Sequence, residues 1–200
     1  MKKSVVFVII VYVIFVLILM VSACTATRTE EGFTAKRSAV FDDLLIKEGV
    51  RLSSYSSVEI ASLTDAVRQD IEQELTEEEI AGQIAELEAV LSEELHKRYN
   101  KDLPSQLEIH ITLIRLKQSR PTQSDYQEHP ALSFETRYLG GAAADFVIKD
   151  GRTGETLATF TGWYFGESLR DGNPRYHVWT DAKNAYQRWA KELPNLLNEN

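Results

Sequence analysis

The feature that most constrains this chain is a long apolar run near its start that ends at the only cysteine. A short basic stretch, residues 1–3, precedes residues 4–20, which contain no charged side chain. Because Cys24 is the single cysteine, the chain can form neither an internal disulfide nor a cysteine-based metal site. A stable fold must therefore come from a hydrophobic core built by the residues that follow the run.

The residues that close the apolar run resemble the motif of bacterial lipoprotein signals, which is an aliphatic residue, two small residues and then cysteine. Val21, Ser22, Ala23 and Cys24 fill these four places. The resemblance implies cleavage between Ala23 and Cys24 and attachment of lipid to the Cys24 thiol, with residues 1–23 as the signal peptide. The alternative is an uncleaved membrane helix, since about 18 consecutive apolar residues are enough to span a bilayer.

A lipid on Cys24 would determine where the protein resides. Two or three acyl chains anchor a protein stably, because each buried methylene contributes about 0.8 kcal/mol. Thr25, and not an aspartate, follows the cysteine, which in enteric-type sorting favours the outer membrane over the inner membrane. We therefore expect the membrane to be a partner through the lipid anchor, with the folded domain facing the periplasm.

Composition narrows the classes of partner and the number of domains. Without residues 1–23, 177 of the 200 residues remain, and the loss of two lysines changes the formal charge from −8 to −10. An acidic exported chain is a poor candidate for binding nucleic acid. We predict a lipidated N-terminus and tether over residues 24–48 and a single α+β periplasmic domain over residues 49–200.

Hydrophobic patterning in the first half of this domain predicts a strand and then helix. Residues 54–62 favour the strand and residues 64–75 a first helix, whereas the apolar group at residues 40–46 fits either a short helix or an extended segment. The clearest element is a helix that Thr76 and Glu79 open with a capping box. Its apolar stripe consists of Ile80, Ile84, Leu87, Leu91 and Leu95.

The second half of the domain favours three strands and a final helix. Alternation predicts a strand over residues 107–113. A glycine-containing hairpin turn predicts two further strands on either side of it, over residues 139–148 and 156–163. The final helix begins at Thr180 or Asp181, and its last residues should fray or kink at a proline. Strands that follow one another in sequence favour a mainly antiparallel sheet of about four strands, with two or three helices packed on one face.

With these elements in place, the mature chain resembles the domain of unknown function 3313 family of bacterial lipoproteins, roughly from Tyr55 to Leu197. The fragments that carry the resemblance are Tyr55-Ser56-Ser57-Val58-Glu59-Ile60, Gly140-Gly141-Ala142-Ala143, Asp150-Gly151-Arg152-Thr153-Gly154-Glu155, Trp179, Ala185-Tyr186 and Trp189-Ala190. The resemblance implies an envelope lipoprotein of unestablished biochemical role and supplies no catalytic residues.

The sequence offers little that indicates metal binding. No two histidines stand at a metal-ligand spacing, and no second cysteine can complete a zinc site. The four histidines are His96, His110, His129 and His177. We predict neither a metal site nor a cofactor.

The sequence also contains little that indicates a catalytic site. There is no Gly-x-Ser-x-Gly elbow, and Ser168 lacks the strand-to-helix context of a nucleophile. An active site would have to combine Asp145 or Asp150 with the distant His177. We predict no catalytic residue. Gly140-Gly141 leads into a strand and not into a helix N-terminus, so a bulge or strand bend explains it better than a phosphate site.

The best candidate for a binding surface is the aromatic group around the loop at residues 166–174. It consists of Trp163, Tyr164, Tyr176 and Trp179, with Phe165 next to them. Aromatic side chains with a polar edge can stack on sugars or anchor a protein partner. The alternative is that these residues pack the final helix on the sheet.

These observations predict a non-enzymatic accessory or binding module, held at the envelope by lipid, that contacts an envelope protein or the cell wall. Two alternatives remain open. One is a subunit of a multi-protein secretion or efflux complex, and the other is an envelope hydrolase.

Overall fold

A computed structural model describes residues 31–67, 75–99, 107–120, 127, 139–166 and 177–199. The chain divides into the units Met1–Glu31 and Gly32–Asn200, and the fold described below is that of the second unit. The predicted signal peptide, with Ala23 and Cys24, lies outside the described residues. Among the helices of the described ranges, none is both long and apolar enough to cross a membrane.

The described residues form six strands and two α-helices, which confirms the predicted α+β class. In chain order these are β1 (Phe33–Ala35), β2 (Phe41–Lys47), β3 (Val58–Asp65), α1 (Glu77–His96), β4 (Leu107–Lys117), β5 (Gly141–Asp150), β6 (Thr156–Phe165) and α2 (Thr180–Glu199). The strands lie in one sheet in the order β1-β2-β6-β5-β4-β3.

The sheet is mainly antiparallel, but it corrects the predicted number of about four strands, because it has six described strands and includes one parallel pair. Val58 of β3 pairs with Leu107 of β4, and both strands run in the same direction from there. The helix α1 separates these two strands in sequence, and a helical connection can return the chain to the same end of a sheet. Described neighbours other than β3 and β4 pair antiparallel.

The predicted tether is also corrected, since residues 33–47 belong to the sheet. β2 pairs with β6 through Phe41 opposite Gly162 and Ile46 opposite Ala158, and β1 pairs with the outer edge of β2. Apolar residues of this segment are buried, which decides between the helical and the extended alternatives in favour of a strand. The compact unit therefore begins at Gly32 and not at residue 49.

The helix α1 confirms the predicted capping box and apolar stripe. The Glu79 backbone N–H donates to Thr76 Oγ1 at 3.2 Å, and the Thr76 N–H donates to Glu79 Oε2 at 2.9 Å. Leu87, Leu91 and Leu95 are buried. The helix predicted over residues 64–75 is wrong at its start, where Thr64 and Asp65 extend β3, and residues 68–74 lie outside the described ranges.

The helix α2 continues past the proline that was expected to disturb its end. Pro194 lies inside the helix, which extends to Glu199. Leu196 and Leu197 beyond it are buried in the core. Burial of these leucines offsets the cost of proline in a helix interior, which is about 3 kcal/mol.

The hydrophobic core lies between both helices and one face of the sheet. Phe146 stacks on Phe160 with ring centroids 5.0 Å apart and meets Trp189 of α2 edge-on at 5.8 Å. Trp189 lies against the backbone of β6 at Gly162, where an added Cβ would come within 2.6 Å of the indole. Gly162 therefore lets the bulkiest side chain of the core approach the sheet.

Candidate functional site

The face of the sheet that does not pack against the helices is mainly polar and mostly half-buried, with Arg115 and Trp163 exposed. Side chains alternate between the two faces of a strand, so β4 buries Leu107, Ile109 and Ile111 and presents the residues between them on the other side. We call this other side the open face. On the three central strands it carries Glu108, His110, Thr112, Arg115, Lys117, Gly141, Ala143, Asp145, Val147, Lys149, Thr159, Thr161, Trp163 and Phe165.

One end of the open face carries two aromatic rings beside basic side chains. Trp163 is 47% exposed, and its ring centroid lies 4.9 Å from that of Phe165. The Arg115 guanidinium carbon lies 5.6 Å from the Trp163 centroid and 5.3 Å from the Phe165 centroid, both within cation–π distance. Lys117 follows Arg115 on the same face. We call these four residues the Trp163 platform.

Two small residues of β5 form the floor of the platform. The register places Ala143 between Arg115 and Trp163, and Gly141 between Lys117 and Phe165. A Cβ on Gly141 would come within 2.5 Å of Phe165 Cδ1. The glycine therefore allows the Phe165 ring to lie on the strand, and Arg115 can reach the rings across a small side chain.

Of the bulge and the strand bend predicted at Gly140-Gly141, the bulge does not occur in the pairing of β5 with β6. β5 keeps its register with β6 from Gly141 to Ile148, and the nearby irregularity lies on β4 between Leu113 and Arg115. A Cβ on Gly140 would come within 2.7 Å of the Ser119 nitrogen. Close approach of neighbouring groups accounts for both glycines.

A buried polar cluster fixes this end of the sheet to the start of α2. The Gly140 N–H donates to Asp181 Oδ2 at 3.1 Å, and the Asp181 N–H donates to Ser119 Oγ at 2.9 Å. Both Asp181 and Ser119 are buried. Bonds of this kind hold the segments that follow β4 and precede β5, which border the Trp163 platform.

Of the four predicted aromatic residues, the three that the structure describes do not form one surface. Trp163 lies on the open face, whereas Tyr164 points to the helices, where the Arg188 guanidinium carbon lies 4.8 Å from its ring centroid. Trp179 packs partly buried against the core, and Tyr176 lies outside the described residues. Core packing thus accounts for Tyr164 and Trp179, and Trp163 remains as a surface residue.

Sequence reasoning missed Arg115 and Lys117 as neighbours of the aromatic group. Strand alternation places Trp163 and Phe165 on one face of β6 and makes Tyr164 face the other way. The pairing of β4 and β6 across β5 then brings Arg115 level with Trp163. Alternation was visible in the sequence, but this register between strands distant along the chain was not.

The rest of the open face carries hydroxyl groups and other polar side chains beside the platform. Thr161 Oγ1 donates to Asp145 Oδ1 at 2.8 Å, in the row next to Trp163. Further along, Thr112 and Thr64 hydroxyls lie 3.4 Å apart across β4 and β3. The open face therefore combines one aromatic end with a surface of hydrogen-bonding groups.

One trio on the open face has the residue types of a hydrolase. Ser62 Oγ lies 2.8 Å from His110 Nδ1, and Glu108 Oε2 lies 3.4 Å from His110 Nε2. The Nε2 atom has no hydrogen-bond partner among the described residues. Ser62 stands within β3, next to an irregularity in its pairing with β4, and not on a strand-to-helix elbow that exposes a nucleophile. The trio therefore fits a polar surface better than an active site.

Asp145 and Asp150, two candidates for catalysis from the sequence, accept hydrogen bonds from threonines. Asp145 accepts from Thr161 and Asp150 accepts from Thr153, whereas the backbone N–H of His177 donates to Thr180 Oγ1 at 3.0 Å. Ser168 lies outside the described residues. Within the described ranges, no three His, Cys, Asp or Glu side chains are grouped so that they could hold a metal ion.

Asp150 organises the β5–β6 hairpin electrostatically. Its Oδ1 accepts from the Thr153 N–H at 2.8 Å and from the Arg152 N–H at 3.0 Å, and Tyr55 donates its hydroxyl to Oδ2 at 3.1 Å. The Thr153 N–H contributes most to lowering the pKa of Asp150, and the hydroxyls of Thr153 and Tyr55 add to it. Burial, and then the Asp150 bond, raise the pKa of Tyr55.

Comparison with known proteins gives one family match. A family described as "Protein of unknown function (DUF3313)" matches residues 27–193, so the match begins before Tyr55, where the resemblance read from the sequence starts. No curated protein matches this chain.

Solved structures that share a distant likeness include two of PelC. A PelC L103M dodecamer from Paraburkholderia phytofirmans is 8% identical, with 78% of this chain and 95% of that chain covered and a TM-score of 0.42. A second PelC dodecamer from the same organism is 9% identical, with 78% and 97% covered and a TM-score of 0.41. Scores of this size support no argument about function.

Proposed function

This chain belongs to the DUF3313 family of proteins of unknown function, and we propose that it is a non-enzymatic binding module held at the bacterial envelope by lipid. The proposal has two parts, anchoring through Cys24 and binding through the open face. Each part has its own support and its own test.

The observation that carries the binding part is the exposure of Trp163 on the open face. Large aromatic residues usually contribute to a core, and the other two tryptophans are buried or partly buried. Trp163 instead lies at the surface beside Arg115, and tryptophan and arginine are the residue types most enriched where binding energy concentrates. The support for a non-enzymatic role is that the Ser62 hydroxyl of this face lies within a strand and not on an elbow that exposes a nucleophile.

The anchoring part is supported by the sequence Val21-Ser22-Ala23-Cys24 after an uncharged apolar run. A lipid at Cys24 would place the domain at the periplasmic side of the outer membrane. Confinement to a membrane raises the effective concentration of the domain near its partners, so that even a weak contact of the open face is occupied. The partner would be an envelope protein or the cell wall.

Anchoring is tested by the intact mass of the protein extracted from membranes that were separated by density. We expect a chain that starts at Cys24, carries added acyl mass and is found with the outer membrane. The Cys24→Ser variant should lose the acyl mass and the cleavage. An unprocessed chain whose mass is insensitive to this substitution would show an uncleaved membrane helix instead.

Binding is tested by placing a photo-crosslinking amino acid at position 163 in living cells. We expect an adduct at 163 and none at 152, an exposed position of the β5–β6 hairpin that lies outside the open face. Equal labelling at both positions, or adducts at neither, would remove the open face as the binding surface.

A further inference from the structure

We propose that the outer side of β3 binds an extended segment of another protein, which joins the sheet as an additional strand and alternates apolar with basic side chains. The inference goes beyond the binding role proposed for the open face, because it concerns the edge of the sheet and does not depend on Trp163. Three features of β3 carry it: its outward backbone groups, its exposed carboxylates and its half-buried apolar side chains.

The two edge strands of the described sheet differ in length. β1 has three residues, whereas β3 has eight and is about 26 Å long at about 3.3 Å per residue. Among the described strands, none pairs with the outer side of β3, whose inner side pairs with β4. A strand edge of this length is a row of N–H and C=O groups that an extended backbone can satisfy. The edge therefore specifies a strand as its occupant.

Two hydrogen bonds show which backbone groups of β3 point outward. The Leu107 N–H donates to the Ser57 carbonyl at 3.1 Å. The Ala66 N–H donates to the Leu113 carbonyl at 2.8 Å, so the backbone faces β4 at both ends of the strand. Backbone groups alternate in direction along a strand, and one extra residue, Ala61, interrupts the pairing. The groups that face outward are consequently those of Val58, Ile60, Leu63 and Asp65.

The sequence of β3 makes a second copy of this chain an unsuitable occupant. The strand contains two carboxylates, Glu59 and Asp65, and no basic side chain. Pairing two copies would bring four carboxylates onto neighbouring strands, and like charges on paired strands are destabilising. The extra residue Ala61 also bends the edge, which hinders pairing with an identical bulged strand. The occupant is therefore a different chain.

The exposed carboxylates of β3 select basic side chains in the incoming strand. Glu59 is exposed and lies beside Glu108 in the register of β3 and β4. Lys149 is opposite Glu108 on β5, on the far side of β4 from Glu59. Within the described ranges, no ion pair joins Glu59 or Asp65 to a cation. A lysine or arginine placed opposite Glu59 would therefore supply the opposite charge at this edge.

The packed side of the same edge selects apolar side chains. Ile60 and Leu63 are half-buried against the core, whereas Ile109 and Ile111 beside them on β4 are at most 1% exposed. An added strand would cover Ile60 and Leu63 with its own apolar residues and remove their surface from water. Apolar residues on this side and basic residues on the other side give the incoming strand its alternating pattern.

The test uses the full-length protein in a zwitterionic detergent and a short synthetic peptide in which lysine and valine alternate. Three control peptides carry glutamate in place of lysine, the same lysines and valines in two blocks, or esters in place of the backbone amides. Binding is measured by thermophoresis, with empty micelles as the blank. The ester analogue keeps the side chains but loses the backbone donors, so it should bind at least about tenfold more weakly. The glutamate and block peptides should also bind more weakly.

Variants of the protein assign the binding to β3. Glu59→Gln should weaken binding of the lysine–valine peptide about twofold to fivefold, as expected for an exposed ion pair. Glu48→Gln removes an exposed carboxylate next to β2 and should change nothing. Asp65→Pro removes an outward N–H together with the charge, whereas Asp65→Asn removes the charge alone. The proline variant should therefore bind about fivefold more weakly than the asparagine variant, and circular dichroism checks that each variant is folded.

Amide hydrogen exchange followed by NMR locates the peptide on the protein. In the free protein, the outward amides of β3 should exchange fast, and the lysine–valine peptide should slow their exchange. Outward amides that already exchange slowly in the free protein would show that another part of this chain or a second copy covers the edge, which overturns the proposal.

Three further results would overturn it. The lysine–valine peptide could fail to bind, the ester or block peptide could bind as tightly, or the slowed exchange could lie away from β3. None of these results affects the crosslinking test at position 163 or the Cys24 test, so the proposed function stands or fails separately.

Discussion

The two faces of the sheet are made by the same strands and differ in almost every other respect. On the packed face, which Phe146, Phe160 and Gly162 represent, side chains interlock with α1 and α2. On the open face, Trp163 and its polar neighbours contact solvent. Trp163 and Tyr164 are neighbours in sequence but lie in different environments, because successive side chains of a strand point to opposite faces of the sheet.

This difference shows that the role of a residue type in this fold depends on the face of the sheet on which it lies. Trp189 lies wholly inside and is accommodated by a glycine, whereas Trp163 lies half outside and is supported by Arg115. Stability should depend on the packed face and binding on the open face. The predictions below are arranged to separate these two dependences.

The largest expected effect is the contrast between two tryptophan truncations. Trp189→Ala should lower the free energy of unfolding by about 3–5 kcal/mol, because it leaves a large cavity in the core. Trp163→Ala should lower it by less than about 1 kcal/mol, because the ring is half exposed. Urea unfolding followed by circular dichroism measures both. Equal losses would mean that Trp163 belongs to the core.

A second contrast compares two glycine substitutions. Gly141→Ala should destabilise the protein by about 1–3 kcal/mol, because a Cβ there meets Phe165. Gly82→Ala in α1 should stabilise it by up to about 1 kcal/mol, because a Cβ there meets nothing within 4 Å and alanine favours the helix. Thermal unfolding of the two variants should therefore shift in opposite directions, and a shift in the same direction contradicts the close approach at Gly141.

Local patterns predicted the elements of the packed face well. The capping box of α1 joins Thr76 to a residue three positions away, and the apolar stripe repeats at helical spacing, so neighbouring residues define both. The β5–β6 hairpin and the strand β4 likewise follow from turn residues and from alternation within one segment. The family resemblance, carried by short fragments of this kind, is confirmed by the match over residues 27–193.

Pairing between distant segments could not be predicted from such patterns. β2 joins β6 across more than half of the chain, and nothing local to residues 40–46 distinguishes this strand from a helix. The parallel pair β3–β4 depends on how α1 returns the chain, not on either strand alone. The Trp163 platform has the same origin, because Arg115 meets Trp163 only through the register of three strands.

A smaller effect is expected at the start of α1. Thr76→Ala removes the hydroxyl that accepts from the Glu79 N–H, and loss of such a cap costs about 1 kcal/mol. Thr76→Ser keeps the hydroxyl and is the matched control, with little change in unfolding free energy. Since this cap lies on the helical layer, binding through the open face should be the same in both variants, and a change in binding would contradict the separation of the two faces.

The smallest expected effect depends on pH and concerns Asp150 at the end of the β5–β6 hairpin. Its pKa is lowered in the folded protein, chiefly by the Thr153 N–H, so the ionised form stabilises the fold. This stabilisation is present above the unfolded pKa, about 3.9, and is lost as the pH falls through the lower folded value. Asp150→Asn should therefore lower the melting temperature at pH 7, and the difference from the wild type should shrink in acid.

Tyr55→Phe should have a smaller effect on the melting temperature and on its dependence on pH. It removes one of the bonds to the Asp150 carboxylate and leaves those from the turn, so its effect at pH 7 should be smaller than that of Asp150→Asn. Because the Tyr55 bond also contributes to the lowered pKa, the acid transition should move to slightly higher pH. The difference in melting temperature between Asp150→Asn and the wild type could instead stay constant from pH 7 into acid. That result would show that Asp150 stabilises the hairpin through packing and not through its carboxylate charge.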